Sequence, residues 1–142
     1  MNSVLKSIFL LFGVLILSSP ALSQKHKEAS QWQAEIMGVD CLEPEAALLE
    51  LAKFSPKLEK DFPELLALAE CQKAWQLFKL EKLDRSYALF NAHLAVAEPL
   101  LDDWQNARYQ YSIYEYLYAK QPDSLNYAEA KQFRASIMQI ET

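Results

Sequence analysis

The sequence predicts an all-α protein with five or six helices in antiparallel hairpins and one disulfide. Residues that favour helix, such as alanine, leucine, glutamate, lysine and glutamine, are abundant along the chain. Glycine, which weakens helices, occurs only at Gly13 and Gly38. Five prolines after residue 23 divide the chain into segments of helical length. These observations predict a small helical bundle or a short array of helical hairpins.

Residues 1–23 have the pattern of a secretory signal peptide. Lys6 precedes an apolar run from Ser7 to Leu17, and residues 21–23 place small side chains at the −3 and −1 positions. We expect cleavage before Gln24, which leaves residues 24–142 as a single helical domain that is periplasmic or secreted. The alternative is an uncleaved anchor, but the apolar run is shorter than the roughly 20 residues that a span requires. No stable membrane insertion is therefore expected after cleavage.

The charge distribution argues against nucleic acid and anionic membranes as partners. The net charge is −5, and it becomes −6 without residues 1–23, which carry one lysine and no acid. Acidic and basic residues are interspersed, so no basic face is expected that could neutralise phosphates or anionic lipids. Phosphate-cradling loops need glycine for close backbone approach, and Gly38 is the one glycine after residue 23. A nucleotide site of that kind is not expected.

The first two helices are delimited by glycine and proline. The first is predicted over Glu28–Met37, with Gly38 as its C-terminal stop. The second begins at Pro44, because proline fits the first turn of a helix and acidic neighbours complement the helix dipole there. It is predicted to end before Pro56.

The next two helices follow from apolar residues at helical spacing. The third is predicted over Pro63–Lys79, with Asp61 as its cap, and the fourth over Asp84–Ala97. The two apolar stripes consist of Leu68, Cys71, Trp75 and Phe78, and of Leu83, Tyr87, Phe90, Leu94 and Ala97.

A fifth helix is predicted from Pro99 to about Lys120, because Pro122 would end it. Ser124 can cap a sixth helix. One stretch of the fifth, RYQYSIYEYLYAK, is ambiguous because tyrosine and isoleucine also favour strands. No other segment offers a partner strand, and a lone strand leaves its backbone unpaired, so helix is predicted here too. The apolar stripe of the sixth helix consists of Ala130, Phe133, Ile137 and Ile140.

Five tyrosines lie between Tyr109 and Tyr118. On a helix they form two stripes with their apolar neighbours, which favours a helix packed on two sides. Five tyrosines are nevertheless unusual for a core, because each buried hydroxyl needs a partner. Tyrosine suits a partly wet surface better, with its ring packed and its hydroxyl free. The hypothesis is that Tyr109 and Tyr116, about two turns apart, line a groove that binds a protein partner.

The two cysteines predict a disulfide between Cys41 and Cys71. An even number of cysteines in an exported chain is typical of a structural bridge. Their midpoint in the sequence coincides with the Ser55–Pro56 break, so an antiparallel hairpin turning there would bring the two sulfurs together. A redox-active pair is the alternative, but there is no Cys-x-x-Cys motif.

No catalytic, metal or cofactor site is evident in the sequence. His26 and His93 are isolated, and neither forms a ligand pair at helical spacing. The Asp102–Asp103 pair is explained by the dipole at a helix start. Carboxylates that meet in space for hydrolysis are left open, because the sequence does not show spatial pairs. An enzyme is not expected, and no cofactor is predicted.

Part of the chain has the spacing of a known helical repeat. Trp104, Ala107 and Tyr111 match the Trp, Leu and Tyr positions of one helix, and Leu83, Ser86 and Phe90, followed by Pro99, match the second. In these positions the chain resembles tetratricopeptide repeats over about half of residues 24–142. It departs from them because Arg108 replaces a glycine, and because Tyr127 and Ala130 repeat Leu83 and Ser86 at a distance of 44 residues rather than about 34. The resemblance implies a helical scaffold that binds a protein or peptide in a groove.

Two functional classes follow from the sequence. The first is an exported protein-interaction or assembly module with an unidentified protein or peptide partner. The alternative is a small enzyme or small-ligand-binding protein whose site is assembled from scattered residues. A deep pocket with a buried carboxylate would favour the alternative, and an open aromatic surface would favour the module.

Overall fold

The computed structural model describes residues 20–120 and Ala135, and this part of the chain is helical without any strand. The all-α prediction is confirmed for these residues, including the tyrosine-rich stretch. The predicted sixth helix lies outside them, as do residues 1–19 of the predicted signal peptide. The five helices are α1 (Pro20–Gly38), α2 (Pro44–Asp61), α3 (Pro63–Lys79), α4 (Leu83–Ala97) and α5 (Asp103–Lys120), with 3₁₀ turns at Val39–Cys41 and Glu98–Leu100.

The central helix of the fold is α3, which packs against α1, α2, α4 and α5. Nine of its side chains are buried, more than in any other of the five helices. Small residues such as Ala67, Ala69 and Ala74 permit close approach of its neighbours, while Leu65 and Leu68 fill the space between them. The sequence pattern favoured α5 as a helix buried on two sides, yet only two of its side chains, Tyr109 and Ser112, are fully buried.

Helices α3 and α4 form the tightest hairpin. Glu81 adopts the left-handed conformation, with φ of 60°, and Lys82 N donates to Leu77 O at 2.9 Å. This is the Schellman pattern that ends many helices, although glycine usually occupies the left-handed position. Ser86 is buried in α4, and its Oγ donates to Ala74 O of α3 at 2.7 Å. The hydroxyl therefore links the two helices where both side chains are small.

Helix α2 continues through Pro56 to Asp61, so the predicted end before Pro56 is wrong. Pro56 has no N–H to donate within the helix. Because Pro56 lies on the exposed side of α2, the loss of that hydrogen bond costs least there. Asp61 belongs to the last turn of α2 and forms an ion pair with Lys57 at 2.6 Å. It does not cap α3, because the N-cap residue is Phe62, which makes no side-chain capping bond.

The disulfide prediction is wrong, because the two cysteines are free and not at bonding distance. The chain reverses at Phe62 and not at Ser55–Pro56. Cys41 and Cys71 are therefore not opposite each other across the α2–α3 hairpin. Cys71 is buried close to the level of Ser55, as shown by the 3.1 Å bond from Lys73 Nζ to Ser55 Oγ. Asp40, next to the exposed Cys41, instead accepts from Gln76 Nε2 at 2.9 Å. Along α3 the levels of Cys71 and Gln76 are five residues apart, which is about 7.5 Å, whereas the Cβ atoms of a disulfide lie about 4 Å apart.

Helix α1 begins before the predicted first helix and runs through the predicted cleavage site, with residues 20–27 exposed. Gly38 ends it as expected, but in right-handed geometry, with φ of −65°, as the chain passes into the 3₁₀ turn. Its inner face is held by Ile36, which is fully buried, and by Trp32, whose ring packs edge-on against Phe54 at 5.2 Å. Across the described residues, no helix has the combination of length and apolarity that a membrane span needs.

Candidate interaction surface on α5

Helix α5 starts at Asp103, four residues later than predicted. Pro99 lies in the 3₁₀ turn, and Leu101 is extended, so the backbone leaves helical geometry before α5. Asp102 then caps the helix, since its Oδ1 accepts from Gln105 N at 2.7 Å and its own N–H donates to Gln105 Oε1 at 3.4 Å. This reciprocal pair is a capping box. It determines where α5 begins and therefore which side chains face α3.

Tyr109 belongs to the core, with 1% of its surface exposed. Its ring packs against Phe90 at 5.0 Å, and its hydroxyl donates to Gln72 Oε1 at 2.7 Å. Gln72 is itself fully buried and donates to Ile36 O at 3.4 Å. Burial raises the pKa of Tyr109 well above its usual value, so the hydroxyl stays protonated. A partner cannot reach this ring in the folded protein, and the predicted pair of groove residues is reduced to Tyr116.

Tyr116 lies on the α4 side of α5, partly buried, and its ring stacks on Tyr87 at 4.2 Å. Partial burial, and then hydrogen bonding to the Asp84 carboxylate, raise the pKa of Tyr116. The remaining rings differ in exposure, since Tyr118 is 47% exposed and stacks on the more enclosed Tyr114 at 6.3 Å. Whether Tyr116 binds a partner stays a prediction.

The other side of α5 carries an arginine between two tryptophans. The Arg108 guanidinium carbon lies 4.2 Å from the centroid of the Trp75 ring and 4.1 Å from that of Trp104. Cation–π contacts of this kind are strongest on tryptophan. Trp104 is 43% exposed, so the stack is open on its outer side. It joins α5 to the C-terminal half of α3.

Asp40 anchors this stack from the 3₁₀ turn that follows α1. Arg108 Nη1 donates to Asp40 Oδ2 at 3.0 Å, and Gln76 Nε2 donates to Asp40 Oδ1 at 2.9 Å. Lys79 Nζ lies 4.0 Å from the same carboxylate. The Asp40 and Arg108 side chains are 23% and 19% exposed, so water screens this pair less than a surface pair. The cluster therefore holds three separate parts of the chain together.

The aromatic contacts continue along α3 and α5. Phe78 stacks on Trp75 at 5.5 Å and meets the ring of Tyr111 edge-on at 6.1 Å. We call these residues the aromatic–arginine surface, and its members are Trp75, Phe78, Trp104, Arg108 and Tyr111. Tryptophan, tyrosine and arginine are the residues most enriched at the energetic centres of protein interfaces.

Sequence reasoning did not identify most of this surface. Trp75 was placed on the apolar stripe of α3, and Arg108 was noted only where it departs from the repeat pattern. The spacing of four between Trp104 and Arg108 was a usable signal, because residues four apart on a helix are neighbours. Asp40 carries no such signal, since it lies 68 residues from Arg108 in the chain.

A separate cleft of about 610 Å³ lies between the exposed half of α1 and the start of α3. Polar side chains at its edge include His26, Gln33, Asp61 and Glu64. Neither acid is buried, and the pKa of Asp61 is lowered by its hydrogen bond to Lys57. The Asp61 carboxyl is therefore held in its ionised form, which does not suit a general acid.

Other reactive groups are scattered. The Cys71 thiol is fully buried, and burial raises its pKa to about 12, so it is a poor nucleophile. His93 lies partly buried on α4, away from the cleft edge. No group of three or more His, Cys, Asp and Glu side chains among residues 20–120 is arranged to hold a metal ion.

Comparisons with known proteins place the chain in no family. No family model matches it, and neither the curated proteins nor the solved structures include a significant match. The resemblance to tetratricopeptide repeats therefore remains a prediction, and function has to be argued from the geometry of the described residues.

Proposed function

We propose that this protein is an exported interaction or assembly module that binds a protein or peptide partner through the aromatic–arginine surface. The observation that carries the proposal is the continuous contact from Trp104 through Arg108 and Trp75 to Phe78 and Tyr111. Partly buried rings and one arginine beside the exposed ring of Trp104, anchored by Asp40, have the composition of an interface centre. Its residues also come from separate helices, so the folded protein presents it preformed.

The anchoring of the surface supports binding with little ordering cost. Asp40 holds Arg108 in place, and Trp75 packs against the buried ring of Tyr109 at 6.5 Å. Side chains already held in one conformation lose little entropy when a partner arrives. Trp104, with almost half its surface exposed, is the member that a partner would cover first.

The location and the partner class follow from the sequence. The signal-peptide pattern of residues 1–23 supports export to the periplasm or the medium, with cleavage before Gln24. The interspersed charges support a protein or peptide partner and not nucleic acid. N-terminal sequencing of the exported form tests the location, since an intact Met1 in a membrane pellet would support an anchor instead.

Capture of the partner in the exporting cell tests the function. The full chain carrying Trp104→Ala should lose a partner that the wild-type chain retains after crosslinking and mass spectrometry. Leu49→Ala is the matched control, because Leu49 is 67% exposed on α2, away from the aromatic–arginine surface, and should retain the partner. Both variants should keep wild-type helical content and melting temperature. Equal capture by Trp104→Ala and wild type would remove the support for this surface.

Tyr116→Ala tests the tyrosine groove separately. It removes the stack on Tyr87 on the opposite flank of α5. Loss of the partner in this variant and not in Trp104→Ala would move the interface to the tyrosine side.

The alternative function, a small-ligand protein or enzyme, depends on the cleft beside α1. Its volume suits a small ligand. Two observations argue against a small-ligand site in this cleft. Its carboxylates are accessible to solvent, and Leu22, which contributes to its lining, lies upstream of the predicted cleavage site. The aromatic–arginine surface, which is exposed at Trp104, favours the module.

A further inference from the structure

Arg108 has hydrogen-bonding capacity beyond its contact with Asp40. A guanidinium has five N–H donors in a planar fork. Within residues 20–120 the hydrogen bond found for this side chain is the one from Nη1 to Asp40 Oδ2. Its two faces are covered by Trp75 and Trp104, so further hydrogen bonds can form only at its edges. A planar acceptor approaching in the plane of the fork fits this geometry.

Positive charges outnumber negative ones in the ion-paired cluster around Asp40. Arg108 and Lys79 both face Asp40, at 3.0 Å and 4.0 Å, so two cations share one carboxylate. The chain as a whole is negative, with a net charge of −5. Asp102 and Asp103 lie at the start of the same helix, but among the described residues neither cation has a second acidic partner within 4 Å. An anionic group complements this cluster.

Donors also outnumber acceptors in this cluster. Both oxygens of Asp40 already accept a hydrogen bond, one from Gln76 and one from Arg108. Among the described residues, Trp75 Nε1 is a buried donor without an acceptor, and Gln76 Oε1 is a buried acceptor without a donor. The free N–H groups of Arg108 and Lys79 outnumber the one unpaired acceptor, Gln76 Oε1. The site therefore lacks an acceptor-rich group, which a carboxylate supplies.

We infer that the aromatic–arginine surface recognises a carboxylate of its partner, presented by an acidic peptide segment beside an apolar side chain. The carboxylate pairs with the open edge of Arg108 and with Lys79, while the apolar side chain covers the exposed ring of Trp104. The inference rests on the proposed interaction function and specifies the partner's chemistry. The occupant is an acidic peptide of another protein, because the surplus charge selects an anion and the exposed indole selects an apolar neighbour.

Two matched small probes test the recognition directly. N-acetyl-phenylalanine carries a carboxylate beside an aromatic ring, and N-acetyl-phenylalanine amide carries the same ring without the charge. Titration of the ¹⁵N-labelled full chain should shift the indole N–H signals of Trp75 and Trp104. Trp32, packed on Phe54 between α1 and α2, is the internal reference and should not shift. The carboxylate should bind at least about tenfold more tightly than the amide, as expected for charge-assisted hydrogen bonds.

Variants separate recognition from folding. Lys79→Gln removes the surplus charge on an exposed side chain, so it should weaken carboxylate binding several-fold without changing the melting temperature. Arg108→Lys keeps the charge but loses the planar fork, so it should reduce the preference for carboxylate over amide. Tyr118→Ala is the control on the same helix, because Tyr118 is similarly exposed but lies outside the surface, and should bind like wild type.

The outcomes distinguish this inference from the proposed function. Selective shifts with the carboxylate, reduced in both Arg108→Lys and Lys79→Gln, support it. Equal shifts with both probes, or no shifts at Trp75 and Trp104, overturn it even if Trp104→Ala still loses the partner. The protein could instead bind the carboxylate while wild type and Trp104→Ala capture the same proteins. That outcome would support the inferred site and overturn the proposed interaction function.

Discussion

Replacing Tyr109 with phenylalanine removes one oxygen atom from the core and tests how the tyrosine-rich helix is held. The hydroxyl donates to Gln72 Oε1 at 2.7 Å, and both residues are at most 1% exposed. In Tyr109→Phe the ring keeps its packing against Phe90, but the amide oxygen of Gln72 loses its donor where water does not reach it. Leaving a buried polar atom unsatisfied costs about 1–3 kcal/mol in the free energy of unfolding. For a domain of this size the melting temperature should fall by about 4–12 °C.

The assay is thermal and urea unfolding followed by circular dichroism, with a double-mutant cycle. Gln72→Met removes the other partner at similar volume and should also destabilise. The double variant Tyr109→Phe, Gln72→Met leaves neither buried group unpaired, so it should be more stable than the sum of the single effects implies, by about 1 kcal/mol. Tyr118→Phe is the surface control and should change stability by less than about 0.5 kcal/mol.

A wild-type melting curve for Tyr109→Phe would refute the assignment of Tyr109 to a sealed hydrogen-bonded core. Strict additivity in the cycle would show that the two side chains do not bond in solution. The larger truncation Tyr109→Ala should cost about 3–5 kcal/mol, as for other buried aromatics. Loss of partner capture in that variant would therefore report unfolding and not a missing contact.

Three further predictions follow from the α3–α4 hairpin and the buried thiol. Glu81→Gly should raise the free energy of unfolding by up to about 1 kcal/mol, because glycine adopts the left-handed conformation without strain; an unchanged or lower urea midpoint would contradict this. Ser86→Leu should lower it by about 1–3 kcal/mol or more in the same assay, since the larger side chain separates α3 from α4 and Ala74 O loses its donor, while Ser86→Ala should cost only about 1 kcal/mol. Stability should also fall from pH 9 towards 12, because the unfolded Cys71 thiol ionises near 9.0 and the folded one near 12, so the unfolded state binds fewer protons over this interval. The free energy of unfolding should fall by roughly 1.4 kcal/mol per pH unit for one group, and Tyr109 should add to this slope above its ordinary pKa. Cys71→Ala should flatten the decline at the lower end of this pH range. Equal slopes in the variant and the wild type would contradict the burial of the thiol.

The helices that could be predicted were those with strong local signals. Pro63–Lys79 was predicted with the bounds that the structure has, and Leu83–Ala97 to within one residue, because a proline start and a regular apolar stripe depend only on nearby residues. Helix in the tyrosine-rich stretch was predicted from the lack of a partner strand. Proline alone was a less dependable signal, since α2 continues through Pro56 and α5 begins after Pro99.

The errors share one physical cause. The disulfide prediction required the position of a turn, and continuation of α2 by six residues moved that turn from Pro56 to Phe62. Once the hairpin turns at Phe62, Cys71 aligns with the region of Ser55, whereas Cys41 lies closer to the C-terminal end of α3. An error of a few residues in the predicted end of one helix therefore led to a wrong prediction of which distant side chains meet.

The sequence by itself determined the helical class and most helix positions, because helix formation depends on propensity, spacing and caps within a few residues. The apolar stripe of α4 also predicted its buried face, including Phe90, Leu94 and Ala97, but only the tertiary structure decided which aromatic side chains are sealed from water. Tyr109 and Tyr116 share a face by spacing, yet Tyr109 is sealed against Gln72 and Phe90, while Tyr116 lies at the edge against Tyr87. The Arg108 cluster depends even more on the fold, because Asp40 and Trp75 approach it from separate segments. Contacts between residues so far apart in the chain follow from the way helices pack, which no local pattern encodes.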